Sequence, residues 1–266
     1  MKINENIETI SAGSSKKRLM NMLLSLQNFC IVFWETLTGL SYGIKYRNDT
    51  AREMYLIGAQ SFPIVFLGGL FVGIILSLET GYRFEVFGAK TMVGRTVSLG
   101  LVRELGPVIS GLLFAARTGA KNSSEIGTMK ISEQTDALLA YGVNPIHKLV
   151  VPRVIASVVM FLPLVLIADM AGIAGGMLVA KLWLNLDFAY FWKSAIYGLQ
   201  MKDLFVGFVK PVFFGLSIAL ISCYYGLTTK GGTSGVGRST INAVVSGSIA
   251  VLVMDFIFTK VVWELM

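Results

Sequence analysis

The stretch "VSLGLVRELGPVISGLLFAA", residues Val97–Ala116, decides the fold. It is apolar over about the 20 residues that an α-helix needs to cross a bilayer. Yet it contains an adjacent Arg103–Glu104 pair and Pro107. Ionised side chains within a span face a bundle interior or a water-filled cavity, because hydrocarbon cannot solvate them. Proline is tolerated there when neighbouring groups satisfy the freed carbonyl. The stretch therefore reads as one span of a helical membrane bundle. Working outward, Tyr55–Leu78, Val154–Leu182, Leu204–Leu227 and Ile241–Trp263 meet the same criterion, with Pro63, Pro163 and Pro211 inside them. The composition agrees: 15% of residues are charged and the mean hydropathy is +0.68, whereas about a quarter are charged in a soluble domain.

The predicted architecture is an all-α integral membrane protein, a single domain over residues 1–266 with five spans between 55 and 263. Residues 1–18 form a polar tail without the apolar core of a signal peptide. Over residues 19–46, Leu19, Leu23, Leu26, Cys30, Phe33, Leu37, Leu40 and Ile44 recur at helical spacing, with Lys16, Lys17 and Arg18 just upstream. This predicts an amphipathic helix in the cytoplasmic interface; a sixth span is the alternative. Lys and Arg concentrate on the side of the N-terminus, as at Lys45, Arg47, Arg52, Lys121, Lys130, Lys148 and Arg153. The positive-inside bias then sets the N-terminus in the cytoplasm and the C-terminus outside. The net charge of +7 has no basic run behind it, which argues against nucleic-acid binding. Cys30 and Cys223 in apolar surroundings read as small hydrophobes, and a lone His147 supports neither a metal cluster nor a catalytic triad.

Two loops bear on ATP. "GGTSGVGRST", Gly231–Thr240, approaches the phosphate-loop pattern, but Arg238 replaces the lysine and membrane spans flank it. It reads as a glycine-rich turn between spans four and five, with Ser239 or Thr240 capping the fifth helix. The loop over 121–153 contains "SEQTDALLAYG". Ser132 is the expected N-cap of a short helix, Glu133 and Asp136 suit its positive end, Gly142 ends it, and Asn144-Pro145 turns the chain.

Ionisable residues inside the spans are candidates for function. At ~1.5 Å per residue, Asp169 and Asp255 lie roughly 21–23 Å from the inner boundary, and Arg103, Glu104 and Lys210 about 9–11 Å below the outer one. In a core ~30 Å thick all five share one layer. Asp169, Lys210 and Asp255 are expected to pair and serve structure. Arg103 and Glu104, beside the bend at Gly106-Pro107, are expected to face a cavity.

"LVRELGPVISGLLFAARTGAKNSSEIGTMKISEQTDALLAYGVNPIHKLVVPRV", with "RELGP" and "EQTDAL" in register, resembles the MlaE/YrbE permease family of ABC lipid transporters, and the resemblance runs on to "MDFIFT", Met254–Thr259. Lys121-Asn122 is more polar than is usual in that family. The resemblance implies a phospholipid-moving permease of the bacterial inner membrane that is not itself an enzyme and binds no cofactor or metal. It implies a homodimer with a lipid pocket at the dimer interface near Arg103 and Glu104, with Phe71, Ile74 and Leu78 of span one offering acyl-chain surface. A cytoplasmic ATPase dimer would bind ATP and dock on a coupling helix comprising Glu133, Asp136, Ala137, Leu138 and Gly142. An MCE-domain protein on the periplasmic side and a small STAS-domain protein are further implied partners. Two other classes were weighed: an ATP-independent ion or solute carrier using the charged layer as a relay, and a membrane enzyme, for which no convincing nucleophile–base pair is present.

Overall fold

The computed structural model describes residue 20 and residues 23–265; the polar tail, Leu19 and the upstream Lys16–Arg18 cluster lie outside the described residues. The described residues form helices and no strand. They are α1 (23–38), α2 (Tyr42–Lys45), α3 (Arg47–Val86), α4 (Lys90–Ile131), α5 (Gln134–Ala140), α6 (Ile146–Leu184), α7 (Phe188–Gly198), α8 (Met201–Leu227) and α9 (Gly232–Leu265). Five of them, α3, α4, α6, α8 and α9, are long and apolar enough to cross a membrane. The α1 helix is not among them.

Small residues bring the spans together. On α3, Val65, Gly69, Gly73, Ser77 and Gly81 are buried at four-residue spacing, which places them on one face. Gly69 lies against the Ala168 backbone, Gly73 against Gly172, and Ser77 Oγ donates to Gly176 O at 2.9 Å. Without a hydrophobic drive between helices in lipid, close backbone approach supplies the attraction. The same logic seats α7, the short helix between spans three and four, which sequence reading left as a loop. Gly94 packs on the Phe191 carbonyl, and Ser98 Oγ donates to Ala195 O at 3.0 Å.

Several local expectations are corrected. The second helix does not stop near Ala116 but continues to Ile131. Its extension is stabilised by packing, since Asn122, Ser123 and Ile126 are buried and Gly226 of α8 lies against Ile126. Ser132 is consequently the C-cap of α4, and Glu133, with φ 58°, stands at the N-cap of α5. Gly142 does end α5: at φ +73° it donates to Leu139 O while Val143 N–H reaches Leu138 O, the paired bonds of a Schellman motif. "GGTSGVGRST" is mostly helix. Gly231 (φ +90°) and Gly232 (φ +68°) make the turn, so Ser239 and Thr240 lie inside α9 and do not cap it. Of the apolar stripe, Leu23, Leu26, Cys30 and Leu37 on α1 and Leu40 and Ile44 after it are exposed, as the lipid-facing side of an interfacial helix would be, and Phe33 is half-buried. The helix packs on α6 and α8 through Phe29 and Phe33, and Tyr224 Oη donates to Ser25 O at 2.9 Å.

The α3–α6 crossing generates a prediction. Gly73→Ala places a methyl into the Gly172 backbone and is expected to destabilise by about 1–3 kcal/mol, the usual cost of overpacking. Gly237→Ala, with open space around it, is expected to match or exceed the parent, since Ala exceeds Gly in helix propensity by ~1 kcal/mol. Thermal melting of the purified protein in one detergent separates the two.

Candidate functional site: a charged groove at the α7 end of the bundle

The site grows from a single proline. Pro107 has no N–H to give the Arg103 carbonyl four residues back. The helix answers with a wide π-turn over Leu101–Leu105, in which Gly106 N–H reaches Leu101 O. Such bulges are frequent at functional sites. The Arg103 carbonyl receives instead the ammonium of Lys210, at 2.9 Å. Lys210 is fully buried and also meets Glu104 Oε2 and Asp255 Oδ1, each at 2.7 Å, and Thr259 Oγ1 at 3.2 Å. Thr259 in turn donates to Glu104 Oε2 at 3.0 Å. Arg103 lies 3.7 Å from Glu104 and 3.5 Å from Asp203, and Asp203 also caps the start of α8 by accepting from Gln200 N–H.

This cluster floors a groove of about 580 Å³ between α4 and α9. Arg95, Leu99, Arg103, Glu104 and Thr259 line it. Glu104 keeps 32% of its side chain exposed and Arg103 21%, so both charged groups are open to whatever enters. Apolar Leu99 and Met92 share the walls. The groove therefore offers cations, one carboxylate and hydrocarbon within a single opening.

Phe71, Ile74 and Leu78 are not part of that opening. Phe71 and Leu78 are exposed on α3, and Ile74 turns toward Gly175 of α6. Lys210 and Asp255 meet, but Asp169 does not join them. It is buried against Gly106, and its Oδ1 has no hydrogen-bond partner among the described residues. The reason is lateral. Depth along the membrane normal placed all the charges in one layer, but α6 brings Asp169 against Gly106, whereas Lys210 of α8 reaches the Arg103 carbonyl and Glu104. Sequence reading passed over Asp203, Thr259 and Arg95. Each sits at helical spacing from a residue already noticed: Asp203 seven before Lys210, Thr259 four after Asp255, and Arg95 eight before Arg103. Face-sharing at those intervals was the available signal.

At the opposite end, Glu133, Asp136, Ala137 and Gly142 are exposed and Leu138 is half-buried. Asp136 pairs with Lys130 at 2.8 Å. A groove of about 560 Å³ runs beside α5, lined by Lys130, Asp136, Leu139 and Gly142 and by Glu35 of α1. A second ionic cluster braces this end: Arg153 reaches Glu125 at 2.9 Å and Glu53 at 3.4 Å, and Lys121 reaches Glu53 at 2.9 Å. It joins α3, α4 and α6 where α5 departs from them.

The model of the family described as Permease MlaE matches residues 50–261, which spans α3 to α9 and takes in both charged clusters. This chain belongs to the MlaE permease family. Among curated relatives, a probable ABC transporter permease protein of Rickettsia felis is 36% identical over 95% of this chain and 98% of its own length. A Rickettsia typhi protein of the same description is 40% identical over 82% of this chain and 85% of its own. The intermembrane phospholipid transport system permease protein MlaE of Haemophilus influenzae is 36% identical over 80% of this chain and 82% of its own. Membership of the MlaE family makes the chain a multi-pass transporter permease subunit of the ABC type.

The cluster gives a graded prediction. Lys210→Met removes the ammonium between Glu104 and Asp255 and leaves Asp255 without its cation, and breaking a buried pair costs ~3–5 kcal/mol. Glu104→Gln keeps an oxygen for Lys210 and leaves the Asp255 pair intact, so a loss below about 1.5 kcal/mol, that of one hydrogen bond, is expected. Chemical denaturation of both variants in the same detergent should rank them in that order.

Proposed function

We propose that this permease moves phospholipids between membranes, taking lipid into the Glu104 groove at an interface between two copies of the chain. The groove carries this reading. Arg95 and Arg103 are placed for the phosphate, Glu104 for a headgroup hydroxyl or amine, and Leu99 and Met92 for the start of the acyl chains. Exposed Phe71 and Leu78 on α3 supply further acyl-chain surface in the assembled pocket. The relative from Haemophilus influenzae, described as an intermembrane phospholipid transport permease, supports the same substrate class.

The driving force comes from a separate ATPase dimer docked at α5, with ATP bound there and not in this chain. The α5 end is then cytoplasmic, α1 lies in the inner interface of a bacterial inner membrane, and the α7 end and C-terminus face the periplasm. An MCE-domain protein receives or delivers lipid at that end, and a small STAS-domain protein accompanies the ATPase. A push on α5 reaches the groove along α4, which runs from Ile131 to Glu104 over ~40 Å at 1.5 Å per residue. The π-turns at Ala115–Gly119 and Leu101–Leu105 are the points where that helix changes register most readily. A proton or ion relay is less well supported. Glu104 and Lys121, which mark the two charged clusters on α4, are 17 residues apart, or about 25 Å.

Reconstitution with the ATPase tests the reading. ATP-dependent transfer of a labelled phospholipid is expected, reduced by Glu104→Gln with assembly unchanged. Asp136→Lys removes the Lys130 pair, and Gly142→Val strains a left-handed cap by roughly 1–2 kcal/mol. Both variants are expected to hydrolyse ATP without matching transfer. Full transfer in both would remove α5 as the coupling element, and transfer that ignores both Glu104→Gln and Arg103→Ala would remove the groove.

A further inference from the structure

A second groove, of about 530 Å³, runs between the start of α8 and the end of α9 and shares no lining residue with the Glu104 groove. Its walls are apolar: Phe205, Val206 and Val209 from α8, Phe258 and Val262 from α9. The rings of Phe213 and Phe258, 5.0 Å apart, bring α8 and α9 together one turn further in. Among the described residues no carboxylate lines it, and the one charged lining residue is Lys202, the second residue of α8, which is exposed and makes no ion pair or hydrogen bond with any described residue. The neighbouring Asp203 does not neutralise it, because that carboxylate turns inward to Arg103 and the Gln200 N–H.

The order of these features along the membrane normal is informative. Lys202 stands at the membrane boundary, where α8 begins, and Val209 lies ~10 Å deeper at 1.5 Å per residue. An unpaired cation at the boundary with an apolar slot directly beneath it is complementary to an anionic headgroup with its acyl chain below. We propose that this groove holds one acyl chain of a membrane phospholipid with Lys202 against its phosphate, a lipid site separate from the Glu104 groove. A lipid held here lies beside the cluster it does not touch, since Val206 of the groove and Lys210 of the cluster are one turn apart on α8. The site requires a bilayer but does not require that the Glu104 groove carry cargo.

The test places a photoreactive amino acid at position 205, or at Ile249 as an exposed apolar reference on α9 outside the groove. The full chain is reconstituted in vesicles of phosphatidylethanolamine and phosphatidylglycerol carrying a phosphorus label. Position 205 is expected to capture more label than position 249. Lys202→Gln should cut capture at 205 about fivefold, the effect of one basic residue at a lipid surface, without changing capture at 249. Glu104→Gln should leave both unchanged, so this site and the transport groove fail separately. Equal capture at the two positions, insensitive to Lys202, would reduce the groove to ordinary bilayer contact and overturn the proposal. Capture of polypeptide at 205 would assign the groove to a protein helix and overturn it equally. Unchanged melting of the Lys202→Gln protein excludes misfolding as the cause of lost capture.

Discussion

A buried ammonium organises the α7 end of this molecule. Lys210 has three N–H donors and no water to receive them, so its position is tolerable only where acceptors converge. Four do: the Arg103 carbonyl, Glu104, Asp255 and Thr259. They come from α4 and α9, so satisfying Lys210 draws three spans to one point. The carbonyl is available because Pro107 withholds its N–H, and the π-turn lets α4 remain helical around the defect. A proline, a lysine and two carboxylates thus form one unit. Removing the lysine strands the carboxylates and the Arg103 carbonyl that it satisfies.

That unit also explains how a charged groove persists inside a hydrophobic protein. Glu104 is both structure and surface: one oxygen meets Lys210, while a third of the side chain remains open. The protein therefore presents a carboxylate without leaving it uncompensated. Arg103 lies between Glu104 and Asp203, 3.7 Å from the first and 3.5 Å from the second. The tighter pairs at the other end, Arg153–Glu125 and Lys121–Glu53, hold the three helices from which α5 projects. Each end of the bundle is thus braced by an ionic cluster that joins three spans.

Asp169 follows a different rule. It is buried in the bundle with an oxygen that finds no partner among the described residues, and only a glycine at 106 leaves room for it. It sits against the glycine that ends the π-turn presenting Glu104. At Gly69 and Gly73 the backbones of α3 and α6 meet directly, which fixes the position of α6 there, and Asp169 comes with it.

The sequence by itself determined the class, the five spans and the family, because these rest on one-dimensional quantities. A run of about 20 apolar residues is legible without knowing its neighbours, and so are a proline beside a charged pair and a glycine after a short capped helix. That the charges of different helices fall at one level was legible for the same reason, since rise per residue is constant, and Lys210 does meet Glu104 and Asp255. What needed the tertiary structure was everything lateral. Which side of α4 faces α8 and which faces α6 separates Lys210, within reach of Glu104, from Asp169, which is not. Packing against α8 carried α4 past Ala116 to Ile131 and moved Ser132 from the start of one helix to the end of another. The face of α1 that packs on the bundle, through Phe29 and Phe33, was decided by Tyr224 and the ends of α6 and α8. Rotation of a helix about its own axis in lipid is chosen by its partners, because lipid is as good a neighbour for leucine as protein is.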